Sequence, residues 1–560
     1  MERCWWKEAV AYQIYPRSFK DSNGDGNGDL RGIIEKLDYL KELGIDLIWL
    51  CPIYASPNDD NGYDISDYEA ILPMYGTMAD FDCLLAEIHK RNMKLILDLV
   101  INHTSDEHPW FIESRSSRNS AKRDWYIWKE PKQDGSEPNN WESIFHGSAW
   151  EYDQLTGDYY LHLFSKKQPD LNWENKEVRH ALYQMINGWL AKGIDGFRVD
   201  AISHIKKAEG LPDLPNPKGL RYVPSFEGHL NQKGIDLFLQ ELKQRTFANH
   251  DIVTVGEANG VTAEEAGLWV GEAGGIFNMI FQFEHLGLWG KDGEQFDLKK
   301  VKQVLSKWQK ELDGVGWNAL FLENHDQPRS VSSWGNDEKY WRESATALAT
   351  LFFFMQGTPF IYQGQEIGMT NVRFSSIDEY RDVSAKNEYR LKREAGLSGN
   401  EAIASIWKDG RDNARTPMQW DDSAQAGFST SDKTWIGVNP NYRSINVAAQ
   451  ERDADSVLSY YKAMISLRKD SLPLLYGRYV LEAKDDPAIY AYRRVWQEES
   501  YLIVVNMAAA ESKLEAELTA QLSRMELILS NLQPCSNAWF RPYEARVYKE
   551  RENGVGDLNS

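Results

Sequence analysis

The sequence predicts an α/β protein built on a (β/α)8 TIM barrel, with a subdomain inserted after the third strand and a C-terminal antiparallel β-sandwich domain. Three observations support this prediction. Strand-like and helix-like segments alternate from the start of the chain, and eight strand-like segments can be counted, each followed by room for a helix. A long polar interval follows the third strand. The last part of the chain consists of short alternating strands separated by polar turns.

The first elements show the alternation most clearly. "AVAYQIYPRSF" is typical of a strand, and "LRGIIEKLDYLKELG" places apolar residues at helical spacing. The second strand lies in "IDLIWLCPIY" and the third in "MKLILDLVINH", with the helical "MADFDCLLAEIHKRN" between them. The remaining five strands are predicted in "IDGFRVDAI", "DIVTVGEAN", "FNMIFQF", "NALFLENHD" and "FIYQGQEIGM". Repeated βα units imply a parallel sheet, and eight of them imply a closed barrel.

These patterns divide the chain into three parts. Residues 1–103 and 174–480 are assigned to the barrel. Residues 104–173, rich in Trp, Tyr, Ser and Gly, form the inserted subdomain, and an insertion this long at a strand's C-terminal end usually builds part of an active-site wall. Residues 481–560 form the C-terminal β-sandwich.

Composition limits the classes of function. The 560 residues include 63 basic and 84 acidic side chains, a net charge of −21 that repels nucleic acid and anionic membranes. The N-terminal residues contain no signal-peptide apolar block, no run approaches the length of a membrane helix, and the four cysteines lack zinc-site spacing. We therefore expect a soluble cytoplasmic enzyme, a monomer or weak homo-oligomer, acting on a small molecule.

Polar side chains end several predicted strands, where barrel enzymes keep their active sites. Asp200, Glu257 and Asp326 would bring three carboxyl groups to one mouth. Metal binding is one explanation, and glycoside hydrolysis by a nucleophile and an acid is another. Arg198 would lower the pKa of Asp200, while anionic neighbours would raise that of Glu257. A single such residue is more often a salt bridge or a helix cap, but several successive strand ends carry the same feature.

Four stretches resemble the signature regions of the α-amylase superfamily, glycoside hydrolase family 13. They are "DLVINH" (98–103), "GFRVDAISH" (196–204), "GEAN" (256–259) and "ENHD" (323–326), in the order typical of that family. The stretches "QPDLNW", "GTPFIYQGQEIGM" and "RDNARTPMQW" are similar to its oligo-1,6-glucosidase and α-glucosidase branch. The resemblance covers essentially the whole chain.

The resemblance implies a role for each matched residue. Asp200 matches the nucleophile, Glu257 the general acid/base and Asp326 the third carboxylate. Substrate-binding roles are implied for Asp60, Tyr63, His103, Phe145, Phe164, Gln168, Arg198, Ala201, His204, Asn259, His325 and Arg411. Asp60 and Arg411, with Arg415 as a less favoured partner, would close off the non-reducing end of glucose and impose exo action. Core packing explains Phe145 equally well.

The stretch "DSNGDGNGDLRG" has the spacing of a calcium loop. Its candidate metal ligands are Asp21, Asn23, Asp25, Asn27 and Asp29. Its twelfth position is Gly32, so the bidentate Glu of an EF-hand is absent. We expect a structural Ca²⁺ or Mg²⁺ here, with a metal-free turn as the alternative, and no organic cofactor. The resemblance further implies that the ammonium of Lys207 replaces a second calcium, which α-amylases hold near the position of Asn102.

The residue after the nucleophile bears on the linkage that is cleaved. In the branch that the chain resembles, valine there accompanies α-1,6 cleavage and smaller residues accompany α-1,4 cleavage; this chain has Ala201, with His204 and Asn259 nearby. We therefore expect a retaining exo-acting α-glucosidase that releases glucose from maltose and short malto-oligosaccharides through a covalent intermediate, with transglucosylation as a side reaction. The α-1,6-specific oligo-1,6-glucosidase (isomaltase) is the alternative.

Three other functions are less favoured. Sucrose isomerases carry an arginine-rich loop after strand six, whereas "EHLGLWGKDGEQFDL" contains no arginine. Trehalose-6-phosphate hydrolases would need a cationic phosphate site, and the sequence shows no clear basic cluster. A non-catalytic binding protein would not need all three carboxylates.

Overall fold

Eight parallel strands surround the centre of the molecule in sequential order. The computed structural model describes residues 2–288 and 296–551. The barrel strands in the described residues are β1 (Ala11–Ile14), β2 (Leu47–Leu50), β3 (Lys94–Val100), β4 (Gly196–Asp200), β5 (Val253–Glu257), β6 (Met279–Phe281), β7 (Ala319–Leu320) and β8 (Thr358–Tyr362). Each strand from β1 to β5 pairs with the next, β7 pairs with β8, and β8 pairs back with β1. A bridge between Ile280 and Asn318 links β6 to the segment before β7, so the barrel is nearly closed.

The barrel strands form because their apolar runs are buried on both faces. Every residue of β2, "LIWL", is buried, as expected for a parallel strand covered by helices. Buried charged residues interrupt the apolar runs near the carboxyl ends, where Asp98, Arg198 and Asp200 lie. The fold class predicted from the sequence is confirmed.

Helices follow the strands and cover the barrel. The main ones are Leu30–Glu35, Leu37–Leu43, Met78–Lys90, Lys176–Ala191, Ile235–Arg245, Ala266–Val270, Leu298–Glu311, Trp341–Phe353 and Val457–Lys469. Two further helices, Val383–Glu394 and Gly399–Asp409, lie between β8 and the last of these. A short helix, Asp412–Arg415, follows them; Arg411 is its N-cap residue and Arg415 is its last residue.

The C-terminal part forms a five-stranded antiparallel sheet. Its strands are β9 (Arg478–Glu482), β10 (Ile489–Trp496), β11 (Glu499–Asn506), β12 (Met525–Ser530) and β13 (Ala545–Glu550), in the order β9-β10-β11-β13-β12. A two-stranded ladder joins Ser512–Lys513 to Trp539–Phe540. The sheet packs on helix Trp341–Phe353, where Tyr492 Oη donates to the carbonyl of Leu351 at 3.0 Å. Residues 552–560 of the predicted C-terminal domain lie outside the described residues.

The segment after β3 has its own small sheet. Strands Trp128–Lys129, Trp150–Asp153 and Asp158–Leu161 pair antiparallel. The loop after β4 also contributes, because Val223–Pro224 pairs with Trp141–Glu142. The three domain ranges given above stay predictions. Among the described residues, no helix has both the length and the apolar character needed to cross a membrane.

Candidate active site

One guanidinium group joins three carboxyl groups at the mouth of the barrel. Arg198 Nη1 donates to Asp200 Oδ1 at 2.6 Å and to Asp98 Oδ1 at 2.8 Å, and its Nη2 lies 2.9 Å from Glu257 Oε2. The strand order explains the meeting, because β4 pairs with β3 on one side and β5 on the other. Arg198 is buried, so the ion pairs are shielded from solvent.

The carboxyl groups in this cluster hold protons more tightly than ordinary carboxyl groups. Burial raises the pKa of Glu257 to about 7, with Asp200 acting in the same direction and Arg198 against it. Burial also raises the pKa of Asp200 to about 7, although Arg198 acts to lower it. The expectation for Glu257 agrees with this direction. For Asp200 it does not, because Arg198 is shared among three carboxyl groups and cannot outweigh burial.

The residue after Asp200 links the two predicted catalytic groups. Ala201 has a left-handed backbone, with φ 44° and ψ 30°, and its N–H donates to Glu257 Oε2 at 2.7 Å. Such a conformation is costly for a β-branched side chain. The residue type at this position is therefore constrained by the backbone as well as by any sugar in the cleft.

A second charged cluster lies around Asp326. Its Oδ1 accepts from Arg415 Nη2 at 2.7 Å and from Arg411 Nη1 at 3.2 Å. Burial acts to raise the pKa of Asp326, but His325, Arg411 and Arg415 hold it well below its usual range. Arg411 Nη2 also donates to Asp60 Oδ1 at 2.9 Å, so the side chain bridges the loop after β2 and the segment after β7.

Aromatic and polar side chains fill the space between these clusters. Tyr63 and His325 stack with ring centroids 5.1 Å apart, and Tyr63 Oη donates to Asp98 Oδ2 at 3.0 Å. Gln168 Nε2 donates to Asp60 Oδ2 at 3.2 Å and lies 3.2 Å from His103 Nε2. All six of these residues are buried.

The tip of the inserted segment reaches the same site. The rings of Phe145 and Phe164 are 5.7 Å apart, and Phe164 lies 5.0 Å from His103. The guanidinium of Arg411 sits 4.7 Å from the centre of the Phe145 ring. Phe145 therefore packs against a charged site residue as well as against Phe164.

Two of the residues predicted to bind substrate make other contacts. His204 Nδ1 hydrogen-bonds with His229 Nδ1 at 2.9 Å, and both rings are buried. The backbone carbonyl of Asn259 accepts a hydrogen bond from Asn231 Nδ2 at 3.1 Å. These contacts tie His204 and Asn259 to the segment that follows β4.

Lys207 lies behind His103 in a fully polar cradle. Its Nζ is 2.6 Å from Asp170 Oδ2, 3.0 Å from Asn102 Oδ1 and 2.8 Å from the carbonyl of His204. Asn102 in turn hydrogen-bonds with His103 Nδ1 at 3.2 Å. The ammonium thus neutralises Asp170 next to Asn102, where the resemblance implied that a lysine would replace calcium.

The predicted calcium loop is hydrogen-bonded to its own backbone. Asp21 Oδ1 accepts from the N–H groups of Asn23 and Gly24, and Asp29 Oδ1 accepts from that of Gly32. Asp25 Oδ1 accepts from the N–H of Asn27. Within residues 2–288 and 296–551, no group of three or more His, Cys, Asp or Glu side chains is arranged to hold a metal. A metal here would need amide and backbone oxygens as well, so the ion stays a prediction.

Sequence reasoning missed two contributors to this site. Asp98 was visible as a strand-end carboxyl, but not as a third partner of Arg198. Asp382 carried no signal beyond its position before a helix; it contacts Arg411 Nη2 at 2.5 Å. The predicted roles of the other site residues stay predictions, although the fold brings most of them together.

Most of the chain matches a known protein family. The family model of the α-amylase catalytic domain matches residues 13–477. The chain belongs to the α-amylase family. It is a glycoside hydrolase, and its fold carries the family's catalytic barrel.

Relatives within the family are similar over nearly the whole chain. The chain is 59% identical to the probable oligo-1,6-glucosidase 3 of Bacillus subtilis (strain 168), over 98% of this chain and 100% of the relative. It is 54% identical to an oligo-1,6-glucosidase of Bacillus cereus, with the same coverage. A solved trehalose-6-phosphate hydrolase from Bacillus licheniformis has a TM-score of 0.92 and 45% identity, covering 98% of this chain and 100% of that one.

The α-1,4 preference expected from Ala201, His204 and Asn259 is wrong. The highly similar, full-length relatives named above as glucosidases carry the α-1,6 linkage in their names. The structure gives the physical reason for the error. Ala201 contacts Glu257 through its backbone N–H, which any residue except proline would supply, and His204 is engaged by His229, so the side chains at these positions do not by themselves decide the linkage.

The sequence argument against a sucrose isomerase used the absence of arginine from the loop after β6. Residues 289–295 of that loop lie outside the described residues.

Proposed function

We propose that this protein is a retaining, exo-acting α-1,6-glucosidase that releases glucose from the non-reducing end of short isomalto-oligosaccharides. The observation that carries the proposal is the sharing of Arg198 by Asp200 and Glu257 at the barrel mouth. The names of the similar oligo-1,6-glucosidases support the linkage.

The spacing of the two carboxyl groups favours retention. Retaining enzymes hold their nucleophile and acid about 5–5.5 Å apart, whereas inverting enzymes leave about 6.5–9.5 Å for a water molecule. Here one guanidinium contacts both groups, and the N–H of Ala201, next to Asp200, donates directly to Glu257. These two links favour the shorter separation.

In the proposed reaction, ionised Asp200 attacks the anomeric carbon while protonated Glu257 gives its proton to the departing oxygen. The glycosidic bond breaks and a glucosyl ester forms on Asp200. Glu257, now ionised, removes a proton from water as the water attacks the ester, which restores both groups and yields α-glucose. A sugar hydroxyl that takes the place of water would give transglucosylation.

The closed end of the site supports exo action. Arg411 bridges Asp60 and Asp326, and Phe145 lies on the guanidinium. A chain that continued beyond the first glucose would have to displace this bridge. We therefore propose that a single glucose unit fills the space in front of it.

Initial rates of glucose release from isomaltose, isomaltotriose, maltose, sucrose and trehalose-6-phosphate test this function. We expect fast hydrolysis of the isomalto-oligosaccharides and slow hydrolysis of the others, with the α-anomer of glucose appearing first by NMR. D200A and E257Q serve as inactive controls for contaminating glucosidases. Faster cleavage of maltose or trehalose-6-phosphate than of isomaltose would overturn the assignment.

A further inference from the structure

Asp382 is a buried carboxylate that contacts the site through Arg411. Its side chain is 2% exposed, yet none of the predicted catalytic or binding roles includes it. Arg411 donates to Asp382 Oδ1 through Nε at 3.0 Å and through Nη2 at 2.5 Å. The Nη1 atom of Arg411 is then directed to Asp326, and Nη2 also reaches Asp60.

The same carboxylate begins a helix. Asp382 is the N-cap of Val383–Glu394 and accepts from the N–H groups of Ser384 and Ala385 at 3.2 Å each. Its own N–H donates to Asp412 Oδ2 at 3.0 Å, next to Arg411 in the chain. Arg411 is therefore attached to the start of a helix through a carboxylate that backbone groups hold in place.

The same helix also contacts Phe145, the aromatic residue next to Arg411. Asn387 Nδ2, on its second turn, donates to the carbonyl of Phe145 at 3.0 Å. The Phe145 ring packs on the Arg411 guanidinium. One helix thus fixes both the arginine and the aromatic ring that covers it.

We propose that Asp382 is a positioning residue that fixes Arg411 for binding of the terminal glucose. Three carboxylates contact Arg411, and two of them, Asp60 and Asp326, have predicted roles toward the substrate. Asp382 has no such role, so it can hold the arginine while the other two act on the sugar. A long side chain that must be ordered on binding weakens affinity, and a preorganised one does not. This inference rests on the proposed function, since it assigns a role in the same glucose site.

D382N is the informative variant. Asn caps helices about as well as Asp, so the substitution keeps the cap and removes the charge. With p-nitrophenyl α-glucoside, we expect kcat/KM to fall about 10–100-fold, mainly through KM, as expected for loss of a charged hydrogen bond. Inhibition by glucose should weaken by a similar factor.

D297N is the matched control, because Asp297 caps helix Leu298–Glu311 in the same way, accepting from Lys299 and Lys300, and is exposed. We expect its kcat/KM to stay within about twofold of the wild-type value, since surface changes of this kind have small effects.

A double-mutant cycle with R411A separates positioning from a general structural role. If Asp382 acts through Arg411, D382N should change kcat/KM by less than about twofold in the R411A background. The same penalty in both backgrounds, or a D382N enzyme within twofold of wild type, would overturn the proposal. The chromogenic glucoside reports on the glucose site whichever linkage is cleaved, so failure of the α-1,6 assignment would leave this test intact.

Discussion

Replacing Lys207 by methionine should destabilise the protein far more than the same change at its neighbour. The Lys207 ammonium uses all its donors on Asp170, Asn102 and the carbonyl of His204. The Asp170 side chain is fully buried, with a relative exposure of 0%. K207M would leave this carboxylate without its cation, a loss of about 3–5 kcal/mol in the free energy of unfolding.

Lys206 provides the matched control. Its Nζ lies 2.5 Å from Glu174 Oε1, but the Glu174 side chain is 66% exposed. A solvent-exposed pair of this kind contributes about 0–1 kcal/mol, so K206M should cost little. Both variants remove one charge from adjacent positions, but only the ion pair of Lys207 is buried.

The assay is urea-induced unfolding at pH 7, followed by tryptophan fluorescence and compared with the wild type. A third variant, K207M with D170N, should be more stable than K207M alone, because it removes the uncompensated charge. Equal midpoints for K207M and K206M, or no recovery in the double variant, would refute the account of the Lys207 cradle.

Two further predictions concern protons and metal. Burial raises the pKa of Glu257 to about 7, and the acid must be protonated to act, so kcat/KM for isomaltose should fall as the pH rises above about 7. A wild-type profile flat to pH 9 would contradict the assignment. If the 21–29 loop binds Ca²⁺, metal analysis should find about one ion per chain, and EDTA should lower the unfolding temperature. The D21N variant should abolish both effects. Unchanged stability and no bound metal would indicate a metal-free turn.

The barrel was predictable because its strands are buried on both faces. A run such as "LIWL" contains no polar side chain, so its length and position are visible without any knowledge of the fold. The meeting of Asp200 and Glu257 follows from the same pattern, since β4 and β5 are neighbours and both end in a carboxylate.

What the sequence could not provide depends on contacts between distant segments. Asp382 pairs with Arg411 across 29 positions, and a residue before a helical run signals only a cap. The pKa of Asp200 depends on burial and on a guanidinium shared with Asp98, neither of which a strand pattern contains. The linkage was misjudged because it was inferred from the side chain of Ala201, whereas the contact that Ala201 makes with Glu257 comes from its backbone N–H and does not depend on the side chain.

The bridge formed by Arg411 with Asp60 and Asp326 has a consequence for polymeric sugars. If it closes one side of the site, as proposed, substrate must enter by its non-reducing end, and each glucan molecule offers the enzyme only such ends. Activity would then follow the molar concentration of non-reducing ends and not the mass of carbohydrate. Short fragments would be consumed much faster than the same weight of intact glucan. An endo-acting enzyme that creates new non-reducing ends would then control the rate of glucose release.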